Sequence, residues 1–320
     1  MPPLAEVVAL CDVDAQRGND VACRFSVPRV HTDVQTMLGK ERPDLVDICT
    51  PPRTHAPLAI QALRSGAHVL VEKPMAVSTE ECDDIIAASQ ETGCKVCVAH
   101  SDLFYPSFMN MRELVQAGAV GDFRGMHIFL STPVDYITSR PDHWANRLPG
   151  GVIGETGPHV VYMTLAFINP VQHVQVHGKK LLAEFPWSPC EDYRLTFIGE
   201  KAVCSVTLTY ATNQWAAEVS VWGSTGIMRA DLESQSLIHA NRTRLTPTEI
   251  GLSTMGAAMQ MTKGVLGTGA RYLTRRFEST HELLIRAFCE SIEKGTAPPV
   301  GAQEGREAIR VMELIVNTLQ

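Results

Sequence analysis

The sequence predicts an α/β protein, a doubly wound parallel sheet followed by an α+β domain with a largely antiparallel open sheet. Two patterns predict it. Over residues 7–119 short apolar runs alternate with amphipathic stretches, as in parallel strands covered on both faces by helices. After Gly121 the apolar period falls to two, in HVQVH (173–177), YRLTF (193–197) and VCSVTLTY (203–210), which indicates half-exposed antiparallel strands. With 320 residues there is room for two domains. They are expected at residues 1–120 and 121–320, with the C-terminal helices packing back on the first.

The elements follow in order. VVALC is a strand, and a helix runs from it to Phe25. LVDICT precedes the helix THAPLAIQALRSG, and HVLVE precedes STEECDDIIAASQETG, where Ser78 and Glu81 have the spacing of a capping box. CKVCVA is the last parallel strand. Residues 250–277 are weakly polar and compatible with a partial helix, but Gly256, Gly264, Gly267 and Gly269 interrupt them, and no element is assigned there. Helices over His281–Lys294 and Gln303–Leu319 close the chain.

Composition narrows the partners. Lys plus Arg number 28 against 35 Asp plus Glu, a net charge of −7, which argues against nucleic acid and for a small-molecule substrate. MPPLAEVVAL has no basic n-region. The longest stretch without Asp, Glu, Lys or Arg, Thr156–Gly178, is broken by Pro170 and three histidines, unlike a membrane span. Nine cysteines, an odd number, suit a reducing compartment, so a cytoplasmic protein is expected. Cys94 and Cys97 lie three apart on a strand and so face opposite ways, with no second ligand pair following. His173 and His177 alternate with valines on a polar strand face. No metal is assigned to either pair.

In parallel α/β sheets ligands bind beyond the carboxyl ends of the strands. Those ends here carry Asp12, then Thr50-Pro51-Pro52, then Glu72-Lys73-Pro74, then His100. Asp12 either holds the two ribose hydroxyls of NAD, repelling a 2′-phosphate, or is a turn residue beside the helix cap Asp14. Lys73 after a buried strand is costly unless paired. It is either a site residue oriented by Glu72 or half of a surface ion pair worth about 0–1 kcal/mol. In LPGGVIGETGPHVVYM (148–163), Glu155 and His159 are four apart and share a helix face. The carboxylate can fix the imidazole tautomer, and an imidazole suits removal of an alcohol proton. His100 and Tyr105 in VAHSDLFYPSF, and Trp144 and Arg147 in RPDHWANRLPGG, are further pocket candidates.

VVALCDVD, DLVDICTPPRTHAPLAIQAL, GAHVLVEKPMAVS and GGVIGETGPH, closed by FCESIEKGTAPPV and EGREAIRVMELI, resemble the Gfo/Idh/MocA oxidoreductases from end to end. The resemblance implies a Rossmann-like first domain. Its cofactor-binding set would be Asp12, Thr50, Pro51, Pro52, His55, Glu72, Lys73, Pro74 and His100. It also implies a cis Lys73–Pro74 peptide, with Lys73 beside the nicotinamide ribose and the reacting carbon. His159 and Glu155, the latter where relatives carry Asp, would be catalytic with Lys73, and Tyr105, Trp144 and Arg147 would face substrate. Leu103 stands where relatives often carry Arg, so that contact is not carried over.

The implied activity is NAD-dependent oxidation of a sugar, polyol or related compound by a homodimer or tetramer. The alternatives are redox-assisted elimination or hydrolysis with tightly held NAD, and a non-catalytic homologue. Relatives open with a strand and a glycine-rich turn that receives the pyrophosphate, whereas this sequence starts at the following strand. Leaving out that central strand would orphan backbone groups at roughly 1–3 kcal/mol each. Either the gene product extends further upstream, which is preferred, or the flanking strands close up.

Overall fold

In the computed structural model, which describes residues 5–240 and 242–319, the apolar runs of the first hundred residues become short parallel strands. The chain divides into two units: the residues up to His100 with His281–Arg310, and Ser101–Thr280 with the residues from Val311 on. The passage between them falls about twenty residues before the change of period at Gly121.

The first unit contains β1 (Leu10–Cys11), α1 (Ala15–Phe25), β2 (Val30–His31), α2 (Val34–Glu41), β3 (Leu45–Ile48), α3 (His55–Arg64), β4 (His68–Val71), α4 (Thr79–Thr92) and β5 (Val96–Val98). Side chains begin the helices by accepting the orphan N–H groups of the first turn. Asp14 accepts from Gln16 and Arg17, and Asp33 accepts from Thr36. Ser78 accepts from Glu81 N–H at 3.3 Å while Glu81 reaches back to Val77 N–H at 3.2 Å, a reciprocal cap of the expected kind. Gly93, at φ +72°, ends α4 in the left-handed conformation that glycine adopts without cost. The strands form two parallel ladders, β1–β2 and β3–β4–β5. Among the described residues no ladder joins β1 to β3. Val69, Leu70, Val71, Val96, Cys97 and Val98 are buried, as strands covered on both faces require.

The second unit contains α5 (Pro106–Gln116), β6 (Phe123–Pro133), α6 (Val152–Leu165), β7 (Val171–Lys179), β8 (Asp192–Gly199), β9 (Val203–Thr212), β10 (Ala216–Gly223), β11 (Ile227–Asp231), β12 (Ser236–Ala240) and α7 (Pro247–Leu273). Its seven strands run β12-β11-β10-β6-β9-β8-β7, antiparallel except for the β6–β9 pair. The period of two is fulfilled: Leu195, Phe197, Val206, Leu208, Val219 and Val221 are buried, while Arg194 and Glu218 point outward. One face of the sheet stays open.

The long glycine-containing segment, to which the sequence assigned no element, is helical. Instead of breaking at its glycines, it forms the single 27-residue helix α7, capped by Thr246, which accepts from Glu249 N–H. Gly264 lies against β12, where a Cβ would come within 2.8 Å of Ser236 Cα. That glycine is a packing requirement, and packing outweighs the cost of about 1 kcal/mol per glycine in a helix. The closing helices, α8 (Thr280–Glu293) and α9 (Ala302–Leu319), fall within a residue of expectation. In the first unit, the link between them pairs with β5: Val300 O receives Val98 N–H at 3.0 Å. Arg306 grips Asp83 with two bonds, at 2.5 and 2.9 Å.

An ion pair whose carboxylate is buried and whose ammonium is half-buried holds the loop between β7 and β8. The Lys180 ammonium donates to Phe185 O, Ser188 O and Glu191 Oε1 at 2.6–2.7 Å, which uses all three of its protons. Glu191 is fully buried and also accepts from Leu181 and Leu182 N–H. Burial alone would raise its pKa, but Lys180 and the two backbone donors outweigh that and hold the carboxyl below the ordinary range. A depressed folded pKa stabilises above the unfolded value of about 4.3 and ceases to do so as pH falls through the folded value. Glu191→Gln is therefore expected to lose about 2 kcal/mol in urea unfolding at pH 7. The gap to the unsubstituted chain should close below about pH 4.

Candidate active site

The parallel register of the first unit, Leu45 with His68 and Val69 with Val96, makes β3, β4 and β5 end at one edge. The residues beyond that edge are the expected ones. Past β1, the Asp12 carboxylate accepts Asp14 N–H at 2.8 Å and keeps a quarter of its side chain exposed. It is both a turn residue and an accessible anion, so its two readings are compatible. Beyond β3, Thr50 and Pro51 are exposed and Pro52 is buried, with the Thr54 hydroxyl donating to Thr50 Oγ1 at 2.7 Å. Beyond β4, Lys73 and Glu72 are half-buried. Glu72 accepts the backbone N–H of Lys73 at 3.2 Å, and its other oxygen lies 3.7 Å from His281 Nε2. The Lys73–Pro74 peptide is cis. His100, past β5, is buried.

His55 departs from expectation. It is fully buried, and its ring bridges two carbonyl oxygens, Pro74 O at 2.8 Å from Nδ1 and Thr50 O at 2.6 Å from Nε2. Both ring nitrogens thus face backbone oxygens. The ring acts as a brace, fixing the loop after β3 relative to the loop after β4.

In the second unit, α6 follows Gly150 and Gly151, both at positive φ. Its first turn sits so close to the preceding loop that a Cβ on Gly154 would lie 2.6 Å from Pro149 O. From Val152 to Thr164 every residue is buried except Glu155 and His159, so the two do share the helix's one accessible face. The partner at His159 Nδ1, however, is Asp102 Oδ2 at 2.7 Å, with Tyr162 Oη also at 2.7 Å. An ionised carboxylate can only accept, so Nδ1 carries the proton and Nε2 presents its lone pair. The carboxylate that sets the tautomer is thus Asp102 rather than Glu155, whose charge is felt at Tyr210. Tyr210 in turn hydrogen-bonds Thr156.

The surroundings keep the phenols neutral. Burial, then the charge of Asp102, raises Tyr162 well above the ordinary phenol range, and its oxygen accepts Asp102 N–H at 3.2 Å. Burial, with Asp102, Glu233 and Tyr272 nearby, likewise raises Tyr105. Glu233 is raised by burial and by the charges of Asp231 and Asp102. Trp144 and Arg147 lie on a 3-10 turn and are exposed, with Trp144 stacked on His143 at 5.6 Å. Cys94 and Cys97 are buried, and His173 and His177 are exposed.

Sequence reasoning did not select Asp102, Tyr162 or Glu233. Tyr162 lies three residues after His159, one helical turn away, which was a usable signal. Asp102 is 57 residues distant, and nothing in its neighbours points to the imidazole.

Comparison with known proteins follows the same division. Residues 1–100 match the profile described as oxidoreductase family, NAD-binding Rossmann fold, and residues 108–229 match that of the GFO/IDH/MocA C-terminal domain. A 1-carboxy-3-chloro-3,4-dihydroxycyclohexa-1,5-diene dehydrogenase of Comamonas testosteroni is 33% identical over 48% of this chain and 39% of its own length. An inositol 2-dehydrogenase of Rubrobacter xylanophilus is 36% identical over 39% of this chain and 37% of its own. The first curated relatives are matched over only 36–63% of their length. An oxidoreductase of Agrobacterium radiobacter, solved with NAD+, L-tartaric acid and magnesium, superposes with a TM-score of 0.77 over 97% of this chain and 88% of its own. At 14% identity that likeness concerns the fold alone.

The His55 brace generates a prediction. Replacing it by leucine keeps an apolar body but removes the one hydrogen bond that a neutral imidazole donates, at about 1–3 kcal/mol for the carbonyl left unpaired. His55→Leu is expected to lower the urea midpoint by the equivalent of about 1–3 kcal/mol with an unchanged m-value.

Proposed function

The chain belongs to the GFO/IDH/MocA oxidoreductase family, and on that premise we propose that it is an NAD-dependent oxidoreductase. It would move hydride between nicotinamide and a hydroxyl-bearing carbon of a sugar, polyol or related compound. The observation that carries this reading is the Asp102–His159 pair, in which the carboxylate holds Nδ1 at 2.7 Å on the helix's accessible face.

The first unit's residues fit the cofactor. Asp12 offers an accessible carboxylate at a strand end, suited to two ribose hydroxyls and repelling a 2′-phosphate. Thr50, Pro51, Pro52, Glu72, Lys73, Pro74 and His100 line the remaining strand ends, and His55 sets the spacing of two of their loops. The cofactor supplies a ring carbon that accepts hydride. Lys73 is assigned to the nicotinamide side, where its ammonium polarises the oxygen on the reacting carbon.

Oxidising a secondary alcohol also requires removal of its hydroxyl proton. His159 Nε2 takes that proton, and Asp102 stabilises the resulting imidazolium without giving up its own charge. Glu155, one turn away on the same face, and Tyr105, a neutral phenol, are assigned to substrate hydroxyls, as are Trp144 and Arg147. The reading is of a cytoplasmic enzyme whose copies pair through the open sheet face. Its nine cysteines and that uncovered polar face support these two points.

Incubation with NAD+ and a panel of sugars and polyols is expected to raise absorbance at the reduced-nicotinamide band. Lys73→Ala and His159→Ala should each lower kcat/KM roughly 10²–10⁴-fold. Asp102→Asn should lower kcat while NAD+ affinity, read by calorimetric titration, stays unchanged. A chain that does not bind NAD+, or whose turnover survives His159→Ala, would sink the reading.

A further inference from the structure

Helix α7 buries very little of itself. Its contacts with β12 fall on one stripe: Gln260 exchanges hydrogen bonds with His239, Gly264 touches Ser236, Thr268 donates to Ser234 O, and Arg271 reaches Gln235. At 100° per residue the opposite stripe runs through positions 252, 255, 259, 262, 266, 269 and 273. Its spacing is 3-4-3-4-3-4, the seam of a helix pair in which side chains interlock. Leu252, Met255, Met259, Leu266 and Leu273 stand on it, 71, 66, 57, 67 and 88% exposed, and the small residues Thr262 and Gly269 fill the other two positions. The whole helix carries three charges, Glu249 in its first turn, Arg271 on the packed side, and Lys263.

We propose that this seam is a homotypic interface, closed by α7 of a second copy of this chain about a two-fold axis near Thr262. Several observations favour that occupant. A seam of regular spacing is complementary to itself, which is what an isologous contact requires. The helix is about 40 Å long, and two such helices in contact along that length bury on the order of 1,000 Å² in total, the threshold of a specific interface. The charge pattern disfavours a lipid surface, since a helix lying on a membrane needs a polar face rich in Lys and Arg, and α7 has two such residues in 27. An antiparallel arrangement sets Leu252 of one copy against Leu273 of the other and opposes the helix dipoles favourably. This contact is separate from the open sheet face and does not depend on hydride transfer.

The test is light scattering on the full chain at micromolar concentration, comparing the unsubstituted protein with the double variant Met259→Glu/Leu266→Glu. Two-fold loss of mass with an unchanged circular-dichroism spectrum is expected. A second variant guards against misfolding: Thr262→Cys should give a disulfide-linked dimer on mild oxidation, a band that the unsubstituted chain lacks. The proposal is overturned if the unsubstituted chain is monomeric, if the double variant keeps its mass, or if Thr262→Cys fails to cross-link. Flotation of the unsubstituted chain with phosphatidylglycerol vesicles, lost in the double variant, would overturn it in favour of a membrane surface.

Discussion

Parallel register is the constraint on which the first unit's chemistry rests. Strands that pair in step must end in step, so whatever follows them is gathered at one edge whatever its identity. Thr50, Lys73 and His100 are far apart in sequence and become neighbours by that rule alone. The apolar strands before them supply the cohesion, and the polar residues after them need contribute none. This is why a Glu-Lys-Pro can follow immediately on a valine run without weakening the sheet.

The second unit solves a different problem, holding one imidazole in one tautomer. Helix α6 buries all its residues from Val152 to Thr164 except Glu155 and His159, so the ring has little freedom of position. Asp102 then fixes where its proton sits, and Tyr162 closes the arrangement from within the same helix. The carboxylate comes from a turn ahead of α5 and the imidazole from α6. The pair therefore exists only when the tertiary structure does, and its protonation pattern is a property of packing as much as of the two side chains.

Much of this was legible beforehand. The strand ends, the capping box at Ser78, the shared face of Glu155 and His159 and the open sheet all follow from periods and spacings that act over a few residues. What escaped were long-range choices. Asp102 was hidden because a hydrogen bond across 57 residues leaves no local pattern. Helix α7 was obscured because its glycines act as breakers in isolation, whereas against β12 one of them is the only residue that fits. His55 was assigned to the cofactor because it sits in a motif. The motif gives no sign that both ring nitrogens lie against main-chain oxygens, a contact between two loops that no local pattern encodes.

The imidazole brace carries one more implication. It grips main-chain oxygens at Thr50 and Pro74 and leaves the side chains there uninvolved. Scaffold and lining are thereby partly decoupled: the brace itself asks only for a main-chain oxygen at residues 50 and 74, whatever their side chains contribute. A lineage, or a protein engineer, could retune the chemical surroundings of those strand ends without redesigning the frame that holds them apart.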